Sequence, residues 1–113
     1  MTAMNEAPHP LCVLLTNEVR TGISPVQHAF DAYQRECFIE RPGEFFSLEL
    51  CGEAGELANL EKKRWKGADI PSERLADEAA DVLIALMNYA NARNIDLAAA
   101  VCSKLSRIAP TRI

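Results

Sequence analysis

The chain has 113 residues, 49% of them apolar and 25% charged. That is the length and balance of one globular domain, not of two domains or a disordered segment. Its 16 acidic and 12 basic residues leave a net charge of −4, which argues against a nucleic-acid partner, since such surfaces carry a basic excess. No apolar run approaches the roughly 18 residues of a membrane span, and Leu11-Cys12-Val13-Leu14-Leu15 is too short for a signal-peptide core. A cytoplasmic protein with no membrane partner is expected.

Glycine and proline fall between segments, and no stretch alternates apolar and polar residues as a strand would. The fold class is all-α. Residues 1–22, punctuated by Pro8, Pro10 and Gly22, read as an irregular tail or arm, and residues 23–113 as the domain. Ser24-Pro25-Val26-Gln27 has the form of a helix start, with a capping serine, proline in the first helical position and glutamine at the capping-box position. A first helix is predicted over about 25–39 and a second over about 44–66, ended by Gly67. Ser72 is a candidate cap for a third helix over about 73–93, whose run Val82-Leu83-Ile84-Ala85-Leu86-Met87 suits burial on most sides. Asn94 suits the left-handed position after that helix, and Asp96 can cap a last helix over about 97–108. Four helices with short loops predict an antiparallel bundle. Cys12, Cys37, Cys51 and Cys102 form no C-x-x-C pair and stand at no zinc-ligand spacing from His9 or His28, so they read as reduced, buried thiols.

The second helix carries its acids on an unusual face. At 100° per residue, Glu49, Glu53 and Glu56 share the side of Phe46, Leu50, Leu57 and Leu60, while Cys51, Gly55, Ala58 and Lys62 lie opposite. Desolvated carboxylates that also repel one another need compensation. The third helix repeats the pattern with Glu78 and Asp81 one turn apart, Asp77 close by and Arg74 on the same face. An ion-pair network with neighbouring helices is one reading. The other is a cage of carboxylates, an all-oxygen set suited to magnesium or manganese and to the phosphates those ions carry. A di-iron bundle would need Glu-x-x-His, which the chain lacks.

Gly52-Glu53-Ala54-Gly55-Glu56 with Asn59, Lys62 and Lys63 resembles the G-E-x-G-E-x-x-N-x-x-K-K segment of the MazG-like nucleoside triphosphate pyrophosphohydrolases. Leu75 to Leu83 is similar to that family's L-x-x-E-x-x-D-V-L motif. Tyr33-Gln34, Asn94-Ile95-Asp96-Leu97 and Lys104-Leu105 are similar to its flanking features. The resemblance spans about residues 26–108. It implies an all-α enzyme that uses magnesium, with manganese as the alternative, to split a nucleoside triphosphate into monophosphate and pyrophosphate. It further implies Glu53, Glu56, Glu78 and Asp81 as metal ligands, Glu53 counting also as catalytic, with Glu49, one turn before it, either supporting the ligands from outside or helping to orient the water. Phosphoribosyl-ATP pyrophosphatase shares the acidic logic, and a non-catalytic helical binding module is the reading from another class.

Lys63 and Lys104, nearest the family's basic positions, are the first candidates for phosphate contact, ahead of Lys62, Lys66 and Arg107. Trp65 is a candidate base-stacking platform. Asn88, two turns beyond Asp81 on the acidic face, is a candidate for sugar or base contact, and His28 is a weaker one. Ala85, where relatives acting on pyrimidine deoxynucleotides often carry an aromatic, and Ser106, in place of an asparagine, leave the nucleotide open. A third helix apolar on nearly all sides predicts a homodimer, and the resemblance adds the homotetramer.

Overall fold

The computed structural model describes residues 7–108. They form four α-helices and no strand: α1 Pro10–Cys37, α2 Gly43–Trp65, α3 Ser72–Ala92 and α4 Leu97–Leu105. The described residues divide into two compact units, one of residues 29–95 and one of residues 7–28 with 96–108. No helix among the described residues is long and apolar enough to cross a membrane.

The first unit is built on an α-helical hairpin. α2 and α3 pack against each other, and they run antiparallel. Glu44, in the first turn of α2, pairs with Arg93 just past the end of α3, whereas Lys63 near the end of α2 shares a cavity with Arg74 near the start of α3. Both helices end as their sequences foretell. Gly67, at φ 103°, turns the chain so that its own N–H reaches the Arg64 carbonyl and the Ala68 N–H reaches that of Lys63, each at 3.0 Å. Asn94, at φ 55°, does the same after α3, where the Ile95 N–H donates to the Ala90 carbonyl at 2.8 Å. These paired bonds satisfy the last carbonyls of each helix, which would otherwise lack donors. Phe46, Leu60, Ala85, Met87 and Ala90 are buried between the helices. Leu83 and Ile84 are not: both are exposed, so α3 is covered on fewer sides than its composition suggests.

The second unit joins α1 as far as His28 to α4. Here the expected helix start near residue 25 was wrong, for α1 starts at Pro10 and carries Pro25 in its interior. Pro10 occupies the first helical position, where a missing N–H costs nothing, and His9 caps the turn by accepting from the Leu11 N–H through Nδ1 at 3.0 Å. Pro25 has no N–H for the Thr21 carbonyl, a penalty of about 3 kcal/mol in a helix interior, yet the helix continues. Residues 10–22 are therefore helical, and the first six residues of the expected arm lie outside the described ones. Asp96 caps α4 as predicted, accepting from the Ala99 N–H at 3.0 Å, and α4 stops at Leu105, short of 108. Buried Gln27 accepts from the Leu97 N–H at 3.0 Å. Cys102 is buried, with its thiol 3.6 Å from the Thr16 carbonyl, and Cys12 is half-buried. Cys37 and Cys51 are exposed, against expectation; Cys51 lies on the face of α2 opposite Glu53.

Candidate metal centre

The seam between α2 and α3 brings carboxylates from both helices together. Glu78 and Asp81 stand one turn apart on α3, and Glu53 faces them from α2. Each offers an oxygen, and the three oxygens all lie within 4.8 Å of one another. All three residues are half-buried. One oxygen of Glu53 and one of Glu78 are buried without any hydrogen-bond partner.

No arginine or lysine answers them. Among the described residues the ion pairs are Arg35–Asp31 at 2.9 Å, Arg64–Glu61 at 3.8 Å and Arg93–Glu44 at 2.8 Å. None of these touches the cluster. Burial lifts the Glu53 carboxyl above its ordinary value, and the charges of Asp81, Glu56, Glu78 and Glu49 lift it further. Glu78 is raised by burial, by the hydrogen bond it shares with Glu56, and by the charges of Glu56, Asp81 and Asp77. Crowded acids with orphaned oxygens are poorly stabilised as a bare cluster. A hard divalent cation coordinated by oxygen would satisfy them. The donor set fits such an ion.

The other sequence candidates are distributed unevenly. Glu56 is exposed and adjoins Glu78, but it is not one of the three that converge, and Glu49 is exposed within electrostatic reach of Glu53. Lys63 lines a cavity of about 290 Å³ with Glu56, Asn59, Leu60, Arg74 and Glu78. Arg74, a candidate partner for the acids, borders that cavity without forming an ion pair. Trp65 is 88% exposed at the end of α2. Lys104 is exposed on α4, in the other unit. His28, Lys62 and Lys66 are exposed as well, and Arg107 spends its Nε–H on the Ser103 carbonyl at 3.3 Å.

Asn88 is buried and lines a second, larger cavity of about 450 Å³ within the same unit. Sequence reasoning singled out Asn88 but not the cavity, whose walls include Gln34, Phe38, Arg41, Phe46 and Asn91. Asn88, Asn91 and Asn94 recur every third residue along α3 and just past it. That spacing was the available sign, since it aligns side chains on neighbouring turns.

Compared with known proteins, the chain matches no family model, no curated protein and no solved structure.

Proposed function

We propose that the protein is a MazG-like nucleoside triphosphate pyrophosphohydrolase that uses magnesium. The observation that carries this reading is the convergence of Glu53, Glu78 and Asp81 on one point, with no ion pair to any of them among the described residues. An all-oxygen ligand set of this kind suits magnesium, with manganese as the alternative. When bound, the metal would offset the charge of the triphosphate and make water a competent nucleophile.

The chain's own residues would do the rest. Glu53, Glu78 and Asp81 hold the ion, and Glu56 adds a fourth carboxylate through its contact with Glu78. Glu49, one turn before Glu53, helps orient the attacking water. Lys63 borders the cavity next to Glu56 and Glu78, where a phosphate oxygen would meet its ammonium. Phosphoryl chemistry of this kind rests on positioning and charge neutralisation, so it needs no covalent nucleophile.

A pyrophosphate-release assay over a panel of nucleoside triphosphates tests the reading. Pyrophosphate, not orthophosphate, is the expected first product, and chelator should abolish the activity. Glu53→Gln and Asp81→Asn should each lower the rate at least about a hundredfold, equivalent to about 2.7 kcal/mol of barrier. Folded variants with near-parental rates would remove the metal assignment.

A further inference from the structure

Two turns along α2 and α3 from the converging carboxylates lies a cavity that none of the three lines. It is bounded by the end of α1, the connection to α2, the start of α2 and the end of α3, all within residues 29–95. Its volume of about 450 Å³ falls in the range of small-molecule sites, about 300–1,000 Å³.

Its walls have a specific chemistry. Gln34 and Asn88 contribute primary amides, which both donate and accept. Phe38 and Phe46 contribute aromatic faces, and Arg41 contributes a guanidinium that also packs 4.7 Å over the Phe45 ring. Amide edges with aromatic and guanidinium planes are the groups that read and stack an unpaired nucleobase. Asn88 supplies a separate observation. It is 7% exposed, and its amide oxygen is buried with no hydrogen-bond partner. Native interiors rarely leave such a group unsatisfied without a reason.

Position along the helices connects the cavity to the acids. Phe46 precedes Glu53 by two turns on α2, and Asn88 follows Asp81 by two turns on α3. At 1.5 Å per residue both steps are about 10 Å, and both stay on the face of the carboxylates. The cavity thus continues the seam at about the distance that a ribose and its first phosphate would span.

We propose that this cavity is a nucleobase pocket in which Asn88 hydrogen-bonds the polar edge of the base. The inference rests on the proposed hydrolase reading for its orientation, with base at Asn88 and phosphates at the acids.

Binding of free nucleosides in chelator, followed by the side-chain amide resonances of isotope-labelled protein, tests the pocket without metal or hydrolysis. At least one nucleoside should shift the Asn88 signal and compete with its own monophosphate. Asn88→Leu, which keeps the volume and removes the amide, should weaken that binding at least about tenfold. In the hydrolysis assay it should raise KM for the preferred nucleotide with kcat little changed. Gln34→Ala, at a half-buried wall position, should weaken binding in the same direction if Asn88→Leu does not fold. Nucleoside binding without triphosphate hydrolysis would sink the hydrolase and keep the pocket. Hydrolysis with no shift at Asn88, or with unaltered KM in both variants, would sink the pocket and keep the hydrolase.

Discussion

Replacing Glu53 by glutamine separates a metal cage from a salt-bridge network through stability alone. The perturbation removes one charge and keeps the shape. In the metal-free protein Glu53 has no cationic partner, and its charge lies among those of Asp81, Glu56, Glu78 and Glu49. Its loss should leave the metal-free melting temperature unchanged or higher. On the proposed reading magnesium stabilises the parent, because it would bind the assembled carboxylates and not the unfolded chain. At a hundred times its dissociation constant it adds about 2.7 kcal/mol. At about 4 °C per kcal/mol for a chain of this size, the parent should gain about 10 °C. The variant, left with two of the three converging ligands, should gain less than half of that. Thermal melts of both proteins in magnesium and in chelator give the four numbers required. A network makes the opposite prediction, since removing one partner strands a buried cation and typically costs 3–5 kcal/mol. A variant that melts well below the metal-free parent, or a parent indifferent to magnesium, would refute the reasoning.

Three further outcomes follow from the same structure. Glu53 and Glu78 are raised in the folded state, so between the ordinary carboxylate range and their raised values the folded chain holds more protons than the unfolded one. Metal-free stability should therefore fall as pH rises through that window, and the stabilisation by magnesium should grow over the same interval, as melts across a pH series would show. Asp96→Ala removes the cap on the Ala99 N–H and should lower stability by about 1 kcal/mol in denaturant titration; an unchanged midpoint would mean the cap contributes nothing. Leu83 and Ile84 lie exposed on α3, and a second copy joined by a two-fold axis would cover them. Sedimentation at micromolar concentration should give a homodimer mass, and a monomer there would reject the pairing.

Much of the hairpin was legible because its punctuation is local. Gly67, Asn94 and Asp96 act within a turn or two of themselves, and backbone geometry alone assigns them. The acids were legible for a different reason, since Glu53, Glu78 and Asp81 stand on helix faces where solvated carboxylates have no cause to be. The start of α1 was not legible. Pro10 and Pro25 look alike as helix-breaking residues, yet one opens the helix and the other is carried inside it, an outcome that local propensity does not decide. The cavity at Asn88 also escaped, because its walls come from three helix ends and a connection far apart in the chain. Glu56 shows the limit of motif reading. It shares the acidic pattern with Glu53 but contacts Glu78 from the exposed side instead of joining the point of convergence.

That the three acids come from consecutive helices has a consequence for how the chain folds. Bringing Glu53 to Glu78 closes a loop of only about 25 residues, a local contact of the sort that forms early and fast. The contact is repulsive without a cation, so the docking of α2 on α3 then proceeds against the charge of the acids themselves. Any ion that screens the acids while the hairpin closes would lower the folding barrier as well as stabilise the product. In refolding kinetics, magnesium should then steepen the approach to the native state and not merely slow departure from it. Glu53→Gln should fold fast with or without the ion.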